Sequence, residues 1–141
     1  MLKVKRLNEK AILPKYASLG AACFDISAVL RKPMIIRPGE SVKIPTGLSF
    51  EVREGFAIML YSRSGHGAKN NVRLSNCVGI VDSDYRGEVM GLIKNDGSKV
   101  FAVENGDRIM QGMVISTQQV IIEEVDELSE TERAKGGFGS T

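Results

Sequence analysis

The chain reads as all-β. Fifteen glycines and four prolines are spread along its 141 residues, and they cut it into short segments rich in Val, Ile and Phe, as strands joined by tight turns require. One segment, 55–61, is almost continuously apolar, the pattern of a strand buried on both faces in a sandwich or barrel. The length, with 43% hydrophobic against 26% charged residues, suits one globular domain over 1–141 with a real core.

Taken in order, strands are expected at 2–7, where Leu2 and Val4 alternate with Lys3 and Lys5, and then at 41–44, 55–61, 89–93 and 108–115. A further strand is expected at 120–125, because Val120, Ile121, Ile122 and Val125 are β-branched. The surrounding stretch 113–135 lacks Gly and Pro and is rich in Glu, so helix is the competing reading there. A short helical turn is expected at 64–69, after Arg63. The last six residues, Gly-Gly-Phe-Gly-Ser-Thr, cannot pack a core, and on composition they read as a disordered end.

A formal net charge of +2, from 19 basic and 17 acidic residues, lacks the basic stripe of a dedicated nucleic-acid binder. Any anionic partner must therefore be met by a local site. No apolar run approaches the roughly 18 residues of a membrane span, and the alternating N-terminus is unlike a signal peptide. Cys23 and Cys77 have apolar or small neighbours, which suits reduced, buried cysteines in an intracellular protein. A cytoplasmic location is expected, or the host-cell cytoplasm or nucleus for a viral copy.

Four polar clusters carry chemistry. In Tyr61-Ser-Arg-Ser-Gly-His-Gly67 an arginine, two hydroxyls and flexible backbone close a buried strand, a combination that suits phosphate. A turn bearing a surface arginine would look the same, and His66 alone reads as a loop residue. Asp82 follows the apolar segment that ends at Val81, with Tyr85 three residues later. A carboxylate at a strand end can activate water, although Asp-Ser-Asp-Tyr-Arg-Gly is equally good turn sequence. Asp25 and Asp107, also expected at strand ends, could hold the hydration shell of magnesium, which binds chiefly through substrate phosphates plus one or two carboxylates. Each also reads as a turn residue, Asp107 the more so because Arg108 follows it.

Together with the glycine-rich end, these segments resemble, in order and spacing, the five motifs of the trimeric dUTPase family. Ala-Ala-Cys-Phe-Asp-Ile (21–26), Ser-Arg-Ser-Gly (62–65), Gly-Ile-Val-Asp-Ser-Asp-Tyr-Arg-Gly (79–87) and Gly-Asp-Arg-Ile-Met-Gln (106–111) are similar to the first four, and 133–141 to the fifth. Cys23, Phe24 and Ser62 stand where glycine, tyrosine and proline are usual in the family.

The resemblance implies a jelly-roll-like, distorted β-barrel subunit with one short helix and a flexible C-terminal arm, about 126–141, that closes over a neighbour's site. It further implies a homotrimer with shared active sites, dUTP as substrate, and no nucleic-acid or membrane partner. Asp82 would be the general base for water attack on the α-phosphorus, with Mg2+ held mainly by substrate phosphates and Asp25 acting on it through water. Arg63, Ser64, Gly65 and Gln111 would contact phosphates. Asn76 and the backbone of Gly79, Ile80 and Val81 would read uracil, while Tyr85 and Met90 would line the sugar and base pocket. Phe138 would stack on the base, with Arg133, Gly139 and Ser140 at the phosphates. The rivals are a dCTP deaminase-type relative, whose glutamate position here is Leu92, and a non-catalytic nucleotide-binding module.

Overall fold

The apolar run at 55–61 becomes an inner strand of the largest sheet. In the computed structural model, which describes residues 1–139, the strands are β1 (Lys3–Arg6), β2 (Lys15–Tyr16), β3 (Phe24–Ser27), β4 (Met34–Ile36), β5 (Ser41–Pro45), β6 (Leu48–Glu51) and β7 (Phe56–Tyr61). One helix, α1 (Ser64–Asn70), precedes β8 (Val72–Leu74), β9 (Val78–Val81), β10 (Met90–Asn95), β11 (Phe101–Val103) and β12 (Arg108–Ser116). All pairings are antiparallel. The largest sheet has the order β2-β3-β12-β7-β9, a second is β5-β10-β8, and β1-β6 and β11-β4 are two-stranded. Among the described residues no sheet closes on itself, so the expected barrel is realised as an open, jelly-roll-like arrangement.

One core joins the four sheets. Ile26, Ile36, Ile44 and Leu48, each from a different sheet, have no exposed surface and belong to one apolar cluster. Burying each such side chain contributes about 1.5–3 kcal/mol. Gly112 is the close approach that lets β12 lie over β3: a Cβ there would stand 2.5 Å from the Phe24 ring. The fully buried Asn95 amide donates to the carbonyls of Ile36 and Lys99 and accepts from Gly97 N–H, which offsets the penalty of burying it.

Five of the six expected strand ranges are occupied, and α1 covers the expected helical turn. The exception is 120–125, which forms neither strand nor helix. Val120, Ile121 and Ile122 are exposed; among the described residues no strand pairs with them, and β-branching without a partner strand fixes no sheet. Asp25 is inside β3, not at its end, flanked in register by Lys15 and Gln111. Cys77 is exposed, with φ 62° in the turn before β9, and Cys23 is half-buried. The expectation of buried cysteines therefore fails at Cys77, where the turn conformation puts the residue outward. No helix among the described residues is long and apolar enough to cross a membrane.

Candidate active site

Two clefts, each of about 370 Å³, collect most of the residues singled out in the sequence. The first is largely apolar. Asn76, Gly79, Ile80, Val81, Asp82, Tyr85 and Met90 all line it, with Leu60, Leu74, Leu92 and Met110. The alternation of β9 places them: Gly79 and Val81 face the core while Val78 and Ile80 face out. Gly79 is a close approach: a Cβ there would stand 3.1 Å from the Leu60 side chain, which would have to give by a few tenths of an ångström. The backbone then turns at Asp82, whose carbonyl accepts from Tyr85 N–H. That turn brings the exposed Asp82 carboxylate and the Tyr85 ring to the same rim. Asp82 also borders a larger open cleft with Ser83, Asp84, Thr117 and Gln119.

The second cleft is charged. Asp25, Arg63, Ser64, Gly65, Arg108 and Gln111 line it, together with Ala17 and Cys23. Asp25 is the hub: its two oxygens accept from Arg63 Nε and Arg108 Nη1, each at 3.0 Å. With the Arg63 and Asp25 side chains 22% and 19% exposed, that pair is screened less than a surface pair, whereas Arg108 is half exposed. Gln111 donates to the Ser62 carbonyl at 2.9 Å, and Ser62 Oγ accepts from Leu74 N–H at 2.8 Å. A proline at 62 would have no hydroxyl, so serine ties the start of the phosphate-type loop to β8. His66 Nε2 donates to the Arg108 carbonyl at 2.8 Å and its ring meets Phe101 edge-on. It braces α1 against β12 instead of facing either cleft.

Arg108 is a site residue that the sequence alone does not reveal. Its signal was its place in Gly-Asp-Arg-Ile-Met-Gln, but the neighbouring Asp107 suggested a local ion pair. Asp107 instead accepts from Glu104 N–H and closes a turn, which frees Arg108 for Asp25. Glu88 also lines the apolar cleft, where its carboxylate accepts from Gly47 N–H. The resolved pKa shifts lie elsewhere: hydrogen bonds from Lys3 and Arg73 hold the Glu51 and Asp96 carboxyls below their usual values.

Arg133, Phe138 and Gly139 line neither cleft. Arg133 donates to the Gly136 carbonyl, closing a local turn, and Phe138 is wholly exposed. Ser140 lies outside the described residues. Among the described residues no group of three His, Cys, Asp or Glu side chains converges as a metal cage. The charged cleft offers one carboxylate, Asp25, a donor set that suits an ion held mostly by a ligand's own oxygens.

The open antiparallel jelly roll thus carries one cleft lined by two arginines and a second that is apolar and rimmed by a carboxylate, a pairing suited to a ligand with an anionic part and an apolar part. The dUTPase family model matches residues 9–141. The deoxyuridine 5'-triphosphate nucleotidohydrolase of Nautilia profundicola is 42% identical over 140 residues, covering 99% of this chain and 97% of its own. Among solved structures, a mutant dUTPase of Staphylococcus bacteriophage 80alpha with dUpNHpp superposes with a TM-score of 0.90 at 25% identity, over 99% of this chain and 97% of that one. A mutant dUTPase from phage phi11 of S. aureus, described for its coordination of a structural Mg(II) ion, shares the fold at 21% identity and a TM-score of 0.83, over 92% and 99%. The chain belongs to the dUTPase family.

Proposed function

We propose that this chain hydrolyses dUTP to dUMP and pyrophosphate in a homotrimer whose active sites combine the apolar cleft of one copy, the charged cleft of a second and the arm of a third. The observation that carries this reading is the separation of the clefts. Asp82 rims one, and Arg63, Ser64, Gly65 and Gln111 line the other, so among the described residues neither of these clefts brings a water-activating carboxylate together with the phosphate-type groups. A second copy supplies the missing half. The family's relatives, named for dUTP hydrolysis, support the same substrate.

In this reading uracil sits against Asn76 and the backbone of Gly79, Ile80 and Val81. A methyl at C5 meets the wall, and the amino group of cytosine mismatches the hydrogen-bonding edge. Tyr85 packs under the deoxyribose and Met90 lines the pocket beside it. Asp82 orients a water and takes its proton as the water oxygen bonds to the α-phosphorus. The bond to the bridging oxygen breaks and pyrophosphate leaves. Arg63, Ser64, Gly65 and Gln111 hold the triphosphate in line. They are positioning groups, and none is a nucleophile.

Asp25 is the residue that would hold magnesium, through water, beside the triphosphate, where the ion would supply charge neutralisation. Asp25 keeps Arg63 and Arg108 aimed into the cleft until phosphates replace it as their partner. Phe138 then stacks on the base while Arg133, Gly139 and Ser140 approach the phosphates, so the arm, about 126–141 of a single 1–141 domain, acts as a lid. Such an enzyme, placed in the cytoplasm, keeps uracil out of DNA and supplies dUMP for thymidylate synthesis.

The test is pyrophosphate release with magnesium from dUTP, dTTP, dCTP and UTP at equal concentration. Release confined to dUTP is expected. Uracil products from dCTP would move the chain to the deaminase type, and dUTP binding without release would make it a non-catalytic module.

A further inference from the structure

Tyr85 stands on a segment, 82–89, that belongs to no strand, yet the end of that segment is firmly held. Four hydrogen bonds clasp 86–89 to 46–49. Ser49 Oγ donates to the Arg86 carbonyl at 2.8 Å, Gly47 N–H to Glu88 Oε1 at 2.7 Å, Val89 N–H to the Leu48 carbonyl at 2.9 Å, and Thr46 Oγ1 to the Val89 carbonyl at 2.6 Å. Only the Glu88 bond is charge-assisted, and such bonds are roughly twice as strong as neutral ones. Its donor cannot move far. Gly47 is buried at φ 66°, and a Cβ there would stand 2.9 Å from that of Asn8, so residue 47 is fixed as glycine by both conformation and space.

The clasp reaches Tyr85 through two contacts. The phenol donates to the Glu88 carbonyl at 3.1 Å. The ring crosses Gly87 so closely that a Cβ there would stand 2.3 Å from the hydroxyl oxygen. The wall therefore leans on the backbone that the Glu88 carboxylate anchors. We propose that Glu88 is a positioning residue whose carboxylate, by anchoring 86–89 to Gly47, sets the Tyr85 wall and with it the discrimination of deoxyribose from ribose. This rests on the reading that Tyr85 packs under the sugar.

Rejecting one added hydroxyl demands a wall held within about 0.5 Å, which an unsupported loop cannot supply. Without the carboxylate, the buried Gly47 N–H loses its acceptor and the segment shifts to find another. Moving the wall relaxes the exclusion of the 2′-hydroxyl more than it harms the deoxy substrate.

The experiment is the ratio of kcat/KM for dUTP to that for UTP, measured on the full chain and on Glu88→Ala, Glu88→Gln, Tyr85→Phe and Tyr85→Ala. In Glu88→Ala the ratio is expected to fall by about tenfold, the weight of one charge-assisted hydrogen bond. Glu88→Gln, whose amide oxygen still accepts from Gly47, should restore it to within about twofold of the parent on the same reasoning. Tyr85→Phe, which keeps the ring and cuts the tie to Glu88, should lower it less than Glu88→Ala. An unchanged ratio in Glu88→Ala or in Tyr85→Phe, with Tyr85→Ala still collapsing it, overturns the role of Glu88; lowered thermal stability alone marks the clasp as merely structural. An unchanged ratio in Tyr85→Ala removes the sugar-wall reading itself, and the proposal with it.

Discussion

The two clefts have the same volume and opposite construction. In the charged cleft the side chains hold one another: Asp25 grips Arg63 and Arg108, and Gln111 grips the Ser62 carbonyl. The apolar cleft is held from behind, by the backbone of β9 and by the clasp between 86–89 and 46–49. A site for phosphate can be built from ion pairs because the ligand brings charge to exchange for them. A site that must reject a methyl or a hydroxyl works by shape, and shape needs walls that do not yield.

The largest expected effect is at Asp82, the one carboxylate of the proposed chemistry on the apolar side. Asp82→Asn should lower turnover by about 10²- to 10⁴-fold, the usual worth of a general base, while dUpNHpp still binds by calorimetry. A variant that turns over at the parental rate would strip Asp82 of its role. Next comes Arg63→Ala, which should raise KM for dUTP by about 10- to 100-fold, as loss of a hydrogen bond to a charged group does. Deoxyuridine, lacking phosphate, should bind as before. If its affinity drops in parallel, the two clefts are not divided between base and phosphate. The smallest effect is expected from Phe138→Ala or from ending the chain after Lys135. Loss of an aromatic stack should reduce turnover by about three- to tenfold and leave the melting temperature unchanged, and equal activity after truncation would rule out a lid.

The same contrast governs what could be read in advance. β7, β10 and β12 were legible because each is a short stretch rich in apolar residues that follows a glycine-containing turn. Most of the site residues of both clefts were legible as motifs, Arg108 and Glu88 excepted, but their partners were not. That Arg108 reaches Asp25, 83 positions away, depends on β3 and β12 being neighbours in the sheet. The misread stretch 120–125 shows the converse. Its β-branched residues satisfy a local preference, yet a strand needs a second strand, and nothing in a local pattern reveals whether one is available. Cys77 was misread for a similar reason: its neighbours in sequence are apolar or small, but the left-handed turn at φ 62° directs it outward.

One strand serves both clefts. Met110 of β12 lines the apolar cleft and the next residue, Gln111, lines the charged one, just after the register shift between Arg108 and Met110. Successive residues of a strand point to opposite sides, so β12 works as a party wall between two rooms. Gaining or losing a single residue between Arg108 and Gly112 would swap the furnishings of both rooms at once. Length changes in this chain should therefore be confined to turns and to 117–125, ahead of the arm, and a directed-evolution library that permits insertions anywhere should return none within β12.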